Sequence, residues 1–414
     1  MWQPGAHSSQ PDDLNDSTFL VRQPVFDAAK VVRGYEICCQ AQSPEGPAAT
    51  DQTLVTRRII HQALNVIGLQ SLLGGKKMFM NATAETLIEE DHAILPAEYT
   101  ILSPISANAP TPDLLNSCRQ ARQAGYGIAV PASSFQSLID IAHIVKIDWQ
   151  RTPGDTCRSV AKHFLLQGLT LLAYNVDGHD AFDEAANLGF KYFHGTFFCH
   201  PEVFPNPTLT ATQTIQLQLI AELSKPGIDF KTVEEIVKRD VFLSVGLLKF
   251  VNSAAIGTTQ HVTSLRQVLT LLGERHVKKW ATLAAIGGLC RDKPHELMVT
   301  GLVRAYFCES IGLAAGVAER DLDLYLIGLL SVLDALVDMP MQQVIESVPL
   351  SEDVRAVLLG DRTSQLGQVF ALAQASERGA WVSAISLGAQ MHLTQRQIAE
   401  RYYDALRRVH DLFT

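Results

Sequence analysis

The sequence lacks a long apolar run, and it lacks an excess of positive charge. No uncharged apolar stretch reaches the roughly 18 residues that a membrane-spanning helix needs, so we expect no membrane partner. The 34 Lys and Arg residues are outnumbered by 43 Asp and Glu residues, which gives a formal net charge of −9. Because phosphate backbones repel a chain of that charge, we expect no nucleic-acid partner.

The N-terminus and the cysteines lack the features of a secreted protein. Residues 1–18 are polar and contain no apolar segment of the kind found in a secretory signal. The seven cysteines are irregularly spaced, and none forms the Cys-x-x-Cys pair typical of a structural zinc site. We therefore expect free thiols in a cytoplasmic protein. Since no glycine-rich phosphate loop is present either, we predict no cofactor and no bound metal.

What the chain does contain is enough apolar material for two domains. Hydrophobic residues make up 47% of its 414 residues, and a domain usually takes about 100–200 residues. A composition change at the proline-rich segment Pro201–Pro207 predicts a linker. We expect a disordered leader at residues 1–18, a first domain at residues 19–204 and a second domain at residues 205–414.

Short apolar strands alternate with helical segments in the first domain. The predicted strands are Phe19–Phe26, Val31–Cys39, Lys77–Asn81, Tyr99–Leu102, Tyr126–Val130, the end of Ile141–Asp148, Thr170–Ala173 and Lys191–Phe193. The short segment between the first two is compatible with a hairpin. Repeated strand–helix units predict a parallel sheet, and about eight of them in this length predict an α/β TIM-like barrel. Chemistry in such barrels lies at the carboxyl ends of the strands.

Only helical patterns follow in the second domain. Apolar residues recur at helical spacing from Thr208 to the end of the chain. Thr394 with Gln397 resembles a capping box at the start of the last helix. Because no strand pattern of comparable strength is present, we predict an all-α helical bundle.

Motifs at the predicted strand ends resemble the EAL phosphodiesterase family, in order and spacing, over residues 19–204. They are Arg22–Phe26 with Gly34–Ile37, Phe79–Asn81, Val145–Asp148, and Phe193–Phe198 with Pro201-Glu202. Active members of that family hydrolyse cyclic di-GMP with the help of divalent cations. The resemblance implies a vestigial EAL pocket formed by Glu36, Asn81, Lys146, Asp148, Asp177 and His194.

The second domain resembles the HDOD domain, a relative of HD phosphohydrolases. The segments that carry this resemblance are Lys238–Asp240, Leu247–Ala254, Ser264–Gly273 and Gly328–Asp334. An EAL domain followed by an HDOD domain, at about this chain length, resembles a bacterial two-domain family of signal transduction proteins. The resemblance implies that the second domain acts through protein interaction.

The positions that would supply metal ligands in active relatives hold other side chains. Where the EAL pattern implies carboxylates, this sequence has Ser103, Pro131, Ala132 and Tyr174. Where the HD pattern implies a lone His and a His-Asp pair, it has Thr300, Ser331 and Val332. Mg²⁺ and Mn²⁺ favour about six oxygen ligands with several carboxylates among them. We therefore predict that the chain is not an enzyme.

Some interpretations stay open at the level of sequence. Lys146 is either a relic of catalysis or the partner of Asp148 or Glu36 in an ion pair, since a buried lysine needs a counter-charge. For the whole chain we favour a non-enzymatic regulatory scaffold that binds an unidentified signalling protein. The alternatives are a receptor that binds cyclic di-GMP or another nucleotide without cleaving it, and a residual cyclic di-GMP phosphodiesterase.

Overall fold

A computed structural model of the chain describes residues 18–41, 52–105, 109–152, 154–202, 209–225, 227–240, 243, 265–346 and 348–413. Three of the sequence-based predictions therefore fall wholly or mostly outside the described residues. These are the leader, most of the predicted linker, and the motif Leu247–Ala254.

Eight strands close into a barrel in the first half of the chain. They are β1 Thr18–Asp27, β2 Val32–Ala41, β3 Lys77–Thr83, β4 Thr100–Ile105, β5 Gly127–Pro131, β6 Ile144–Asp148, β7 Thr170–Tyr174 and β8 Tyr192–His194. Each strand pairs with the next in sequence, and β8 pairs with β1. All eight overlap the segments expected from apolar patterning, and their ends differ from the expected ends by at most three residues.

The prediction of a TIM-like barrel is wrong, because such a barrel has only parallel strands. Strands β2 to β8 run parallel, but β1 is antiparallel to both of its neighbours. The cause is the tight turn after β1, in which the Asp27 carboxylate accepts the backbone N–H groups of Ala29 and Val31 and Lys30 has φ 57°. Strands joined by so short a turn can pair only antiparallel, so the barrel is mixed.

Alternation along the strands fills the barrel with an apolar layer. Side chains that are two residues apart face the same side of a sheet. One buried cluster consists of the strand residues Val25, Phe79, Ile101, Ala129, Ile144 and Leu172. On strands β2–β8, the inward-facing residues that lie two positions closer to the carboxyl end form a polar layer directly above this apolar cluster.

Helices cover the outside of the barrel. They are α1 Gln52–His61, α2 Leu69–Leu73, α3 Ala84–Ile88, α4 Pro112–Gln123, α5 Gln136–Ile139, α6 Gly154–Leu166 and α7 His179–Asn187. A single π-helical turn, Gln62–Ile67, continues α1. In α4 the buried residues Leu114, Cys118 and Ala121 recur at helical spacing and pack toward the strands.

The second half is helical throughout the described residues. The helices are α8 Ala211–Leu223, α9 Phe230–Lys238, α10 Leu265–Leu289, α11 His295–Ala314, α12 Asp321–Leu330, α13 Leu333–Val337, α14 Met341–Glu346, α15 Glu352–Leu358, α16 Gln365–Glu377, α17 Trp381–Gln390 and α18 Gln395–Phe413. Helix α10 is interrupted by a kink at Gly273, which has φ 73°. The capping box at Thr394 and Gln397 is confirmed by reciprocal side-chain bonds to backbone N–H groups at 2.9 and 3.2 Å.

Helix α11 is long and apolar enough, by length and composition, to cross a membrane. Its most apolar stretch is, however, 67% buried inside the protein. Buried Glu296, Arg304 and Glu309 also lie along it. This burial is what the core helix of a helical bundle shows.

The barrel and the helical half share one hydrophobic core. The Tyr403 hydroxyl on α18 accepts the Leu20 N–H of β1 at 3.0 Å and donates to Gln62 at 2.6 Å. The Tyr35 hydroxyl on β2 donates to Glu296 on α11 at 2.8 Å. Buried hydrogen bonds of this kind fix how the two halves meet, because losing one partner leaves the other unsatisfied.

Candidate functional site at the barrel mouth

The polar layer at the mouth of the barrel contains most of the residues singled out in the sequence. Its members follow from the register and alternation of the strands: Gln23, Glu36, Asn81, Ser103, Pro131, Lys146, Tyr174 and His194. Asn81 and Pro131 are exposed, whereas Glu36, Ser103 and His194 are buried. The mouth is therefore open to solvent along β3 and β5 and closed around β2, β4 and β8.

An ion pair lies in this layer. Lys146 Nζ donates to Glu36 Oε1 at 2.8 Å, and the two side chains are only 11% and 3% exposed. Burial by itself would raise the pKa of Glu36, but the charge and hydrogen bond of Lys146 together with the nearby His194 outweigh burial and hold the pKa below its ordinary value. Of the interpretations left open for Lys146, the structure therefore shows the ion pair with Glu36.

Two stacked rings stand next to the ion pair. Tyr174 and His194 are nearly coplanar, with centroids 4.4 Å apart, and the Lys146 ammonium lies 4.9 Å from the Tyr174 ring centroid. Burial lowers the pKa of His194 to about 4, so its imidazole is neutral near pH 7. His194 Nε2 lies 3.0 Å from Gln23 Oε1. Because Gln23 Oε1 can only accept a hydrogen bond, the proton of the neutral imidazole is assigned to Nε2, and Nδ1 is left as an acceptor without a donor.

Three buried polar atoms in the layer have no partner among the described residues. They are Glu36 Oε2, Ser103 Oγ and His194 Nδ1. A buried polar atom without a hydrogen bond costs about 1–3 kcal/mol, and native proteins contain few of them. Three such atoms in one layer mark the mouth as a place where a ligand could supply the missing bonds.

The remaining predicted pocket residues, Asp148 and Asp177, have structural partners. Asp148 accepts the backbone N–H groups of Gln150 and Arg151 at 3.2 Å and the Asn175 side-chain amide at 3.2 Å. Asp177 accepts the Thr196 hydroxyl at 2.9 Å and also bonds the Gln150 side chain. Both carboxylates therefore hold the loops that follow β6 and β7.

The side chains at the mouth do not fit a divalent cation of the Mg²⁺ type. Such an ion prefers several carboxylates, but Glu36 is the one carboxylate of the polar layer, and its Oε1 already binds the Lys146 ammonium. Ser103, Pro131, Ala132 and Tyr174 supply no negative charge on the neighbouring strands. Within the described residues, no group of three or more His, Cys, Asp or Glu side chains could hold a metal ion.

In the helical half, the positions to which the HD pattern assigns metal ligands lie next to a hydrogen-bonded network centred on an arginine. Arg304 Nε donates to both Glu377 oxygens at 2.9 and 3.0 Å, and Arg304 Nη1 donates to Ser331 Oγ at 3.0 Å. Val332 is fully buried and closely approaches Gly301, the residue after Thr300. A guanidinium and its carboxylate thus lie beside the positions where the HD pattern would have metal ligands.

A hydrogen-bonded path joins the mouth to this arginine network, and sequence reasoning missed it. Gln23 Nε2 donates to the backbone carbonyl of Glu377 at 3.0 Å, while its Oε1 faces His194. The path therefore runs from His194 through Gln23 to Glu377 and Arg304. Two signals were available in the sequence: Gln23 has the same inward phase as Val25, and Arg304 interrupts an apolar helix. Neither signal identifies a partner.

Part of the chain matches a known family. The HDOD domain family matches residues 209–348. The chain is 29% identical over 387 residues to "Cyclic di-GMP phosphodiesterase CdgJ" of Vibrio cholerae serotype O1, covering 92% of this chain and 89% of that protein. It is 26% identical to "Uncharacterized protein YuxH" of Bacillus subtilis, covering 95% and 98%.

Solved structures give a weaker likeness. The crystal structure of an EAL domain protein from Listeria monocytogenes EGD-e aligns with 18% identity and a TM-score of 0.37, covering 44% of this chain and 87% of that one. At that TM-score the alignment carries no argument about function.

The sequence-based prediction that the chain is not an enzyme is contradicted by one of these relatives. A protein that aligns over 92% of this chain is named a phosphodiesterase, which points toward an enzyme. The prediction rested on side chains at single strand ends. Those side chains decide only whether one kind of metal site can form. Catalysis can also be achieved by other groups, so the loss of these metal ligands does not exclude it.

Proposed function

We propose that this protein is a cyclic di-GMP signalling protein whose barrel is of the EAL type. The nucleotide binds at the barrel mouth, and the HDOD domain responds to it. The EAL-like motifs and the relative named cyclic di-GMP phosphodiesterase support the ligand. The same proposal divides the chain into an EAL-type part at residues 19–204 and an HDOD-type part at residues 205–414, after a leader at residues 1–18.

The observation that carries the proposal is the set of unsatisfied atoms at the mouth. Glu36 Oε2 and His194 Nδ1 are acceptors without donors, and Ser103 Oγ can donate or accept. A guanine base presents N–H donors, including its 2-amino group. Binding such a base at the mouth would satisfy buried acceptors that are left without partners in the free protein, and this gain favours the bound state.

The path from the mouth to the helical half supports a response in the HDOD domain. His194 contacts Gln23, and Gln23 is bonded to the backbone of Glu377 at the end of α16. A ligand that engages His194 changes the bonding of Gln23, and the change reaches the ion pair of Arg304 with Glu377. Coupling requires an element that both sites can bias, and this network is such an element. The altered HDOD surface would then bind a signalling protein partner.

Calorimetric titration with cyclic di-GMP tests the proposal. The purified full chain is titrated with and without Mg²⁺ and Mn²⁺, and chromatography of the nucleotide afterwards measures turnover as a separate readout. We expect saturable binding. Absence of binding at high nucleotide concentration, with and without the ions, would reject the mouth as a cyclic di-GMP site.

Replacing Ser103 with Ala makes the test specific to the mouth. Ser103→Ala removes an unsatisfied buried hydroxyl, so stability should be unchanged or raised by up to about 1 kcal/mol, whereas cyclic di-GMP affinity should fall about tenfold. Ser376→Ala is the matched control, because Ser376 is a buried serine whose hydroxyl already donates to the Leu372 carbonyl at 2.8 Å. Equal nucleotide affinity in both variants would count against the mouth.

A further inference from the structure

A second cavity lies outside the barrel, between the β1–β2 hairpin and the helical half. Its volume is about 680 Å³, which is within the range of small-molecule sites. The barrel side contributes Arg22, Lys30, Tyr35, Ser71 and Lys76, and the helical side contributes Arg291, Lys293, His295, Glu296, His410 and Phe413. Because side chains alternate along a strand, Arg22 and Tyr35 face outward here while their neighbours Gln23 and Glu36 face the mouth.

The lining is basic, in a chain that is acidic overall. Five Lys and Arg side chains line the cavity against two carboxylates, Asp292 and Glu296, whereas the whole chain has a net charge of −9. One of the two carboxylates is already engaged, since the Tyr35 hydroxyl donates to Glu296 at 2.8 Å. A concentration of positive charge in a concave site attracts anions.

Not all five cations are equally available. Lys30 is paired with Glu202, and Lys293 with Asp338, and neither of those carboxylates lines the cavity. Arg22 donates to the Leu72 carbonyl and lies 4.2 Å from the Tyr35 ring centroid. Lys76, in contrast, is exposed and forms no ion pair among the described residues.

The local backbone places Lys76 at the cavity. Helix α2 ends at Gly74, which has φ 55°, and Gly75 follows with φ 74°. Two successive left-handed residues turn the chain sharply, a conformation that glycine adopts without steric cost. The turn brings Lys76 opposite His295 on α11, whose pKa is lowered by burial and by the nearby Lys76 charge.

The edge of the cavity adds an aromatic surface. His295 and Phe413 meet edge to face with centroids 4.6 Å apart, and Phe413 is 44% exposed. Aromatic faces stack on nucleobases, and cationic side chains bind phosphate. The two features lie in one cavity of a size that suits a mononucleotide.

We propose that this interdomain cavity binds a nucleoside phosphate, with Lys76 at the phosphate and the His295–Phe413 pair at the base. The site is distinct from the barrel mouth, and it does not depend on the function proposed above. Since its ligand touches both halves, binding would stabilise the arrangement in which they are packed together.

Titration of the full chain with GMP tests the inference, with guanosine as the uncharged comparison. We expect saturable GMP binding and at least tenfold weaker guanosine binding, because a hydrogen bond to a charged group contributes about 1.5–3 kcal/mol. Lys76→Ala should weaken GMP binding about tenfold. Lys77→Ala is the matched control, since Lys77 is the next residue, is also exposed and does not line the cavity.

The inference would be overturned by an absence of saturable GMP binding at millimolar concentration, by equal weakening in Lys76→Ala and Lys77→Ala, or by guanosine binding as tight as GMP binding. Arg291→Ala provides a second exposed-residue variant from the helical side. Repeating the GMP titration with saturating cyclic di-GMP separates the two sites. Unchanged GMP affinity supports a distinct cavity, and competition contradicts it. If cyclic di-GMP binds nowhere, the GMP titration still decides the cavity alone.

Discussion

Gln23 joins the barrel mouth to the helical half, and replacing it with Met should destabilise the protein measurably. Its side-chain amide donates to the Glu377 carbonyl at 3.0 Å and accepts from His194 at 3.0 Å. Methionine has a similar length and can fill the same space, but it cannot replace either bond. Gln23→Met therefore removes both of these hydrogen bonds, and with them the weak one that the Cys38 thiol donates to Gln23 Oε1 at 3.7 Å, while keeping most of the packing.

The magnitude follows from the two partners left behind. A buried donor or acceptor that loses its partner costs about 1–3 kcal/mol. His194 is 4% exposed, so its N–H has little access to water, whereas Gln23 itself is only partly buried. We expect the free energy of unfolding to fall by about 2–4 kcal/mol, measured by urea denaturation with an unchanged slope against denaturant.

An exposed glutamine provides the control. Gln136 donates to Asp140 at 2.9 Å on the surface of α5, and Gln136→Met should change stability by less than about 0.5 kcal/mol. A loss below about 1 kcal/mol for Gln23→Met, or one equal to the control, would refute the reasoning. Hydrogen exchange of α16 gives a second readout. Cyclic di-GMP should alter exchange there in the wild type and leave it unchanged in Gln23→Met.

Further predictions concern the charges at the mouth. With a pKa of about 4 against an ordinary 6.5, His194 stays neutral in the native state while the unfolded chain takes up a proton, so stability falls as the pH drops from about 6.5 toward 4. This shift corresponds to about 3 kcal/mol of stability. Between pH 7 and pH 4.5, the free energy of unfolding of His194→Gln, measured by denaturation, should therefore fall less than that of the wild type. Identical losses in the two proteins would contradict this prediction. Glu36→Met should cost about 3–5 kcal/mol because it leaves Lys146 buried without a counter-charge. The double variant Glu36→Met/Lys146→Met should be more stable than that single one, and a double-mutant cycle with no coupling would exclude the ion pair.

The positions of the strands could be predicted because their apolar residues alternate over short, well-bounded segments. Strand β7 was expected at Thr170–Ala173 and spans Thr170–Tyr174. The direction of β1 was predicted wrongly even though the hairpin was visible in the sequence. The repeated strand–helix pattern favoured a parallel barrel, but the turn at Asp27 is a local constraint that no pattern elsewhere in the chain can override.

The candidate site could be predicted only in part. Alternation along single strands was enough to place Glu36 and Lys146 at one end of the barrel, and a charged residue in an apolar strand indicates that a partner exists. The bond from Gln23 to Glu377 joins residues 354 positions apart. It depends on how α16 packs against β1, and periodicity within either element contains no information about that packing.

The ion pair explains how the mouth remains stable with few acidic residues. A lone carboxylate that is 3% exposed is costly to bury, and Glu36 would be expected to take up a proton if nothing compensated its charge. The Lys146 ammonium at 2.8 Å compensates it, and the pKa of Glu36 accordingly lies below its ordinary value rather than above it. A divalent cation that approaches Glu36 would be repelled by this ammonium, which also lies 4.9 Å from the Tyr174 ring centroid. At the mouth a ligand would therefore meet the unsatisfied polar atoms of Glu36, Ser103 and His194 rather than an excess of charge, whereas the outer cavity is lined by an excess of positive charge. The two sites thus differ in the kind of interaction that each can offer a nucleotide.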